Sequence, residues 1–268
     1  TPDGWQRDGC KMIERIQSQL RASAAAAYDA VAIPPFTCYL NPDDANPGYT
    51  YAIPDGPITG DPGQALDDLA ALYRSRGRSP RFEFLEAYAP GLSTALEERG
   101  YRLEMRGYLM TCTLAERIAP LPIPGVTVRA LTDASPLSDF QALMTVQSRC
   151  FGAADAPAAT AIDAENLRRR FAASAFFVAE ADGEIVSAGA FTPPADGVTE
   201  VVGIATLPVY RGRGIAGLLT SQITRHAFGQ GVELAFLTAG DEAAGRVYGR
   251  VGFHPAGYGC SWILEETE

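Results

Sequence analysis

The chain has 268 residues, a net charge of −10, 47% hydrophobic and 20% charged residues, a balance that suits one large or two small globular domains and excludes collagen, disorder and a disulfide scaffold. Its acidity repels a phosphate backbone or an anionic membrane surface, so neither nucleic acid nor membrane is expected as a partner. Ala22–Ala27, the longest alanine-rich run, is too short to span a bilayer. Five widely spaced cysteines (Cys10, Cys38, Cys112, Cys150, Cys260), without CxxC, read as free thiols in a reducing, cytoplasmic setting. The two histidines, His226 and His254, sit in no metal or hydrolase motif, so no metal is expected. No charged segment followed by an apolar one opens the chain, and Thr1 leaves open a removed initiator Met or leader.

In chain order, Trp5, Met12, Ile13, Ile16 and Leu20 recur at helical spacing and predict a helix over 5–28. Strands follow at Phe36–Leu40 and Tyr49–Ile53, joined by a Pro/Asn/Asp-rich turn. Asp61 as N-cap and Pro62 in the first turn open a helix to about Arg76, where Gly77 stops it. Phe82–Tyr88 predicts a strand, Pro90–Arg99 a short helix ended by Gly100, and Tyr101–Cys112 a strand. Ala119–Pro124 carries three prolines and no period, and reads as a linker. A strand at Val126–Ala130 restarts the pattern. Helices at 134–150 and 160–173 follow, then strands Ala175–Ala181 and Glu184–Thr192 around the hairpin turn Asp182-Gly183. Strand Thr199–Leu207, helix Gly214–Phe228, strand Val232–Thr238, helix 241–250 and a strand after Gly252 complete the chain.

One shift of 152 residues lays Gly100-Tyr101 on Gly252-Phe253, Phe82–Tyr88 on Leu234–Gly240, and Gly60-Asp61-Pro62-Gly63 on Gly212-Arg213-Gly214-Ile215. A constant offset across three elements predicts an internal duplication; two unrelated α/β pieces in chance register are the alternative. The expected division is 1–115, a linker at 116–124, and 125–268.

The most informative stretch runs from Ile204 to Gly217. A strand enters a glycine-rich turn, and a helix starts inside it. The first amides of a helix lack internal partners and stand at the positive end of its dipole. Gly212, Gly214 and Gly217 admit a ligand close to the backbone, and Arg211 and Arg213 add charge. Such a turn can hold a pyrophosphate. A P-loop would need a lysine, and the only one is Lys11. Gly212-x-Gly214-x-x-Gly217 matches the dinucleotide fingerprint, with Glu233 beyond it, but too little chain follows for a doubly wound sheet. Coenzyme A is the third ligand that fits.

Here the sequence resembles the GNAT superfamily of acyl-CoA-dependent N-acyltransferases over about residues 126–258. Arg211, Gly214 and Ala216 meet its Arg/Gln-x-x-Gly-x-Gly/Ala signature. Ile204–Thr206, Pro208 and Tyr210 meet the usual prelude, and Asp241, Tyr248 and Gly252-Phe253 the usual sequel. The resemblance implies an α/β (α+β) fold of two tandem GNAT-like domains, each a mixed, mostly antiparallel central sheet flanked by helices. It implies that the strand ending near Thr206 splays from the next in the C-terminal domain. It implies acetyl-CoA as co-substrate, held by Ile204, Ala205, Thr206, Arg211, Gly212, Arg213, Gly214, Ile215, Ala216 and Asp241, with the pantetheine arm paired to the backbone of Ile204 and Thr206.

Transfer from a thioester to an amine needs a neutral amine, a donor for the oxyanion and a proton for the leaving thiolate. The resemblance makes Tyr248 the general acid and Glu200 the acceptor of the amine proton, with a water relay as the alternative base. On a regular strand Glu200, Val202 and Ile204 share one face. Asp241 also reads as a helix N-cap, His226 as a helix-end residue, and Arg168-Arg169-Arg170 as a solvated face near the acceptor region. The expected activity is acetyl transfer to a primary amine of a small molecule. A non-catalytic acyl-CoA sensor and a dinucleotide-dependent oxidoreductase are the alternatives. A homo-oligomer is compatible with the sequence, which does not specify one.

In the first half the offset puts Asp61 in place of Arg213, Pro62 in place of Gly214 and Leu96 in place of Tyr248. Proline removes a donor and aspartate brings negative charge. The first half is therefore expected to be a degenerate copy without a coenzyme A site.

Overall fold

The computed structural model describes residues 2–42, 48 and 50–265, with residues 2–8 known by their backbone alone. Trp5's side chain, Tyr49 and most of the Pro/Asn/Asp-rich turn lie outside the described residues. The elements in chain order are α1 (Pro2–Ala27), β1 (Asp29–Ile33), β2 (Phe36–Leu40), β3 (Tyr51–Pro54), α2 (Gly63–Ser75), β4 (Arg81–Leu85), α3 (Leu92–Glu97), β5 (Arg102–Thr113), β6 (Val126–Ala130), α4 (Leu137–Phe151), α5 (Ala161–Arg170), β7 (Ala175–Ala181), β8 (Glu184–Phe191), β9 (Val198–Thr206), α6 (Ile215–Gly229), β10 (Leu234–Ala239), α7 (Glu242–Gly249) and β11 (His254–Ile263). The fold is mixed α/β with mostly antiparallel strand pairs flanked by helices. β1 is absent from the sequence reading. Its exposed, alanine-containing run gives no period-two signal, and pairing with β2 from Asp29–Leu40 to Ile33–Phe36 makes it a strand.

Two compact units form. The first takes residues 1–109, 238–241 and 255–268; the second takes 110–237 and 242–254. This differs from a single cut at 116–124, and side-chain burial explains the difference. Alternate residues of the last strand, Cys260 and Trp262, pack in the core of the first unit with Phe36, Cys38, Phe82 and Phe84, so β11 pairs with β4 from Gly259–Leu85 to Ile263–Arg81. That core lies under α2, whose buried Leu66, Leu69, Ala70 and Tyr73 follow the helical period. The other face of β2 and β3 turns Tyr39 and Ile53 toward Leu20 and Ala24 of α1.

In the second unit β6, β7, β8 and β9 follow one another in antiparallel order, and β10 adds to β9 in parallel. A mainly antiparallel sheet removes the doubly wound dinucleotide alternative. The β7–β8 turn has Asp182 and Gly183 at φ 54° and 80°, as a two-residue hairpin requires. Helices cover both faces. Ala188 of β8 packs with Phe140, Leu143 and Val146 of α4, whereas its neighbour Gly189 faces Leu219 and Ile223 of α6.

The 152-residue offset recurs in the element boundaries. It separates the ends of β3 and β9 (Pro54, Thr206), the starts of α2 and α6 (Gly63, Ile215), the ends of α3 and α7 (Glu97, Gly249), and the starts of β5 and β11 (Arg102, His254). The sequence reading starts α2 a residue early. Pro62 is the N-cap, and Asp61 caps from outside, its Oδ1 accepting from the Gly63 N–H at 2.9 Å.

Candidate functional site

The turn after β9 is shaped by left-handed glycines. Gly212 and Gly214 have φ of 76° and 82°, and Gly214 is the N-cap of α6, without a side-chain hydrogen bond. Residues 211–214 are exposed, so the positive end of α6 opens to solvent. Space beside Gly212 is empty to 4 Å. Ile215 is buried against Ile123, Val126, Val128 and Tyr210, so this residue can offer a ligand its backbone N–H but not its side chain. Ile123, in the proline-rich stretch read as a linker, thus helps anchor the helix start.

The two arginines differ. Arg211 Nε donates to the Thr206 carbonyl at 3.0 Å and ties the turn to the end of β9. Arg213 Nη2 donates to the Val209 carbonyl at 3.2 Å, and its guanidinium lies 5.0 Å from the centre of the Tyr210 ring. The Tyr210 hydroxyl reaches Asp182 Oδ2 at 3.4 Å. The neighbouring carboxylates Asp182 and Glu184, after desolvation, hold the Tyr210 phenol above its ordinary value.

β9 and β10 share three rungs, Val198–Leu234, Thr199–Ala235 and Glu200–Phe236. Among the described residues no further rung joins them, although β9 continues to Thr206 and β10 to Ala239. On its other side β9 stays paired with β8 as far as Ser187–Thr206. The parting has a local cause. Between Val202 and Ala205, β9 has one residue more than β8 has between Ala190 and Ala188. Gly203 sits there with φ 64°, and such a bulge bends a strand and breaks its ladder. The bulge also breaks the alternation. Ala205 packs with the α4 face, while Ile204 lies over Gly189 beside Leu219 and Ile223 of α6. Val202 pairs with Ala190, which alternation places with Ala188 on the α4 face, and Glu200 follows Val202. The expectation that Glu200, Val202 and Ile204 share one face is thus corrected: Ile204 is turned to the other.

Glu200 occupies the last shared rung, at the fork, and is half-buried. Thr192 brackets its backbone, donating N–H to the Glu200 carbonyl at 2.9 Å and accepting at Oγ1 from the Glu200 N–H at 3.1 Å. The end of β9 is fixed by Ser187, whose Oγ donates to the Ala205 carbonyl at 2.6 Å and lies 2.8 Å from Thr206 Oγ1. Together with Arg211 Nε on the Thr206 carbonyl, these contacts tie the end of β9 to the turn before α6.

Tyr248 is half-buried near the end of α7, its ring 6.2 Å from that of Phe253. Its carbonyl accepts from the amides of Val251 and Phe253 at 3.0 and 3.1 Å. Val251 in turn accepts from Ile118 N–H at 3.1 Å, and a Cβ at Gly252 (φ 102°) would collide with the Glu116 carbonyl. Residues 116–118 thus lock the turn behind Tyr248. Asp241 is exposed, immediately before α7. His226 is exposed in the last turn of α6, 5.2 Å from the Phe177 ring, and His254 is exposed at the start of β11. Arg168–Arg170 close α5, where positive charge suits the helix dipole. Among the described residues no group of histidine, cysteine and carboxylate side chains could hold a metal, and no helix is long and apolar enough to cross a membrane.

Gly203, Ser187 and Gln147 are absent from the sequence-derived site. A lone glycine inside a strand is a bulge signal and could have revealed Gly203. Gln147, which bonds Gly203 from α4, carries no signal in the sequence.

Over residues 140–253 the chain matches the family model of the Acetyltransferase (GNAT) family. It resembles a GCN5-related N-acetyltransferase from Kribbella flavida at 25% identity and TM-score 0.79, covering 95% of this chain and 96% of that one. A GCN5-related N-acetyltransferase from Sphaerobacter thermophilus shares the fold at 17% identity and TM-score 0.61, over 86% of this chain and 76% of that one. So does a tandem GNAT protein from the clavulanic acid biosynthesis pathway, at 13% identity and TM-score 0.61, over 87% and 79%. No curated protein matches.

Proposed function

We propose that the chain is an N-acetyltransferase that joins acetyl-CoA and a primary amine of a small molecule in one ternary complex. The observation that carries this reading is the parting of β9 from β10 beyond Glu200–Phe236, beside a helix start without a side-chain cap. The co-substrate supplies an activated acyl thioester. The amides of residues 212–216 and the Arg213 guanidinium receive its diphosphate, and Asp241 lies just beyond the end of β10. Backbone groups of Ile204 and Thr206 pair with the pantetheine arm as an added strand would. An N–H near Thr206 donates to the reacting carbonyl oxygen. Glu200 takes the amine proton so that nitrogen attacks with a lone pair. The Tyr248 phenol gives its proton to the departing sulfur.

The first unit is, in this reading, a degenerate copy. The shared boundary offset supports a duplication, and Asp61, Pro62 and Leu96 stand where the second unit has Arg213, Gly214 and Tyr248. β4 shares one rung with β3, Ala52–Phe82, and beyond it buried Gln17 of α1 accepts the Leu85 N–H of β4 at 3.1 Å. The test is calorimetric titration with coenzyme A and turnover of acetyl-CoA with a panel of amines, wild type beside Tyr248→Phe. Saturable binding with turnover that falls in the variant supports the reading. Binding without turnover on any amine makes the chain an acyl-CoA-binding module.

A further inference from the structure

We infer that Gln147 is a positioning residue for acyl transfer, its side-chain amide fixing the bulge that turns β9 away from β10. The inference rests on the acetyltransferase reading and adds a residue outside the nucleotide-binding turn. Gln147 projects from α4, and its Nε2 donates to the Gly203 carbonyl at 2.9 Å. Gly203 is the extra residue of β9, and a bulge takes such a residue out of the strand ladder. Without Gln147 this carbonyl would have to turn toward water or toward the parted strand. The contact also fixes which way the glutamine amide points, because only its N–H end can satisfy a carbonyl.

The two residues fit each other. A Cβ on Gly203 would collide with Gln147 Nε2, and φ at 64° is itself disfavoured for an L side chain. The bulge decides the phase of everything beyond it. It sends Ile204 to the α6 face and sets how the backbone of Ile204 and Thr206 meets the gap beside β10. Gln147 lies on the face that Glu200 shares. The same helix holds the segment before α5: Gln141 Nε2 donates to the Ala159 carbonyl at 3.1 Å, and Thr145 Oγ1 accepts from its N–H at 2.9 Å. α4 therefore ties that segment and the bulged strand to one rigid element. A displacement of the bulge by a fraction of an ångström would misalign the thioester while leaving the diphosphate contacts at α6 in place.

The test compares wild type with Gln147→Met, which keeps the length and loses the donor, and Gln147→Glu, which donates only when protonated. The readouts are the dissociation constant for coenzyme A, and kcat and KM for acetyl-CoA. The acceptor is an amine that turns over with wild type, or water in slow thioester hydrolysis if none does. The expected result for Gln147→Met is a kcat lowered about tenfold or more, with the dissociation constant within about threefold of wild type. For Gln147→Glu the activity relative to wild type rises as pH falls from about 7 to about 5, toward the ordinary carboxyl range, because the neutral carboxyl can again donate to the Gly203 carbonyl. A wild-type kcat in Gln147→Met overturns the role of Gln147 alone. If Gln147→Met does not fold, a pH-independent ratio for Gln147→Glu overturns it instead. Failure of the wild-type chain to bind coenzyme A removes the acetyltransferase reading, and this inference with it.

Discussion

Two helices begin 152 residues apart, α2 at Gly63 and α6 at Ile215, and their first turns are occupied in opposite ways. At α2 the Asp61 carboxylate accepts from the Gly63 N–H, and Arg99 lies so close over Gly63 that a Cβ there would collide with its guanidinium. Arg99 is also 3.9 Å from Asp61 and 3.8 Å from Asp67. The helix start therefore has its own anion and that anion's counter-charge. At α6 the N-cap is a glycine with no side-chain bond, and the turn before it is exposed. The strands repeat the contrast. In the first unit the Leu85 amide is capped by Gln17; the offset matches Leu85 to Leu237, the first residue of β10 beyond its rungs with β9. The two helix starts thus differ in whether their first backbone donors are already occupied by the chain itself. The difference rests on a few polar side chains that either fill the backbone donors or leave them to a ligand.

The contrast can be broken by giving the second unit the first unit's residues. Arg213→Asp with Gly214→Pro places negative charge at the helix start, removes an N–H and forbids φ near 82°; coenzyme A affinity should fall by about a hundredfold or more in a calorimetric titration. Arg213→Asp alone, which leaves the backbone unstrained, should cost about tenfold. Tyr248→Phe should lower kcat about a hundredfold with the coenzyme A dissociation constant unchanged, and Glu200→Gln about tenfold, both read from steady-state kinetics.

Smaller effects sharpen the other side of the comparison. Asp61→Ala removes the internal cap of α2 and should lower stability by about 1 kcal/mol in urea titration, without creating a second coenzyme A site. The first unit's sealed core should also show in alkali. Burial pushes the Cys38 and Cys260 thiols up to about 12 from an ordinary 9.0. Folding then favours the protonated thiol, so this stabilisation is complete below pH 9 and is lost as pH rises from 9 through about 12. Cys38→Ala should flatten the fall of melting temperature across that range.

Much of this architecture was legible in the sequence because it rests on local chemistry. Gly212, Gly214 and the flanking arginines announce a helix start that can take an anion, and Asp182-Gly183 announces a hairpin. The 152-residue offset between Gly60–Gly63 and Gly212–Ile215 is also the spacing of four element boundaries. What escaped depends on contacts distant in the chain. The last strand continues the pattern of the second half, yet Cys260 and Trp262 pack with Phe36 and Phe82, so β11 belongs to the first unit's core. β1 exists because β2 pairs with it, not because its own residues ask for a strand. Strand alternation placed Ile204 with Glu200 until the extra residue at Gly203 reversed it, and the bond from Gln147 spans 56 positions in sequence.

The measurement that bears most directly on the central claim is the stoichiometry of coenzyme A binding by isothermal titration of the whole chain. An open helix start in the second unit and a filled one in the first predict one site per chain, lost in the Arg213→Asp, Gly214→Pro variant and retained in Asp61→Ala. No binding, two sites per chain, or one site indifferent to residues 213 and 214 would contradict it.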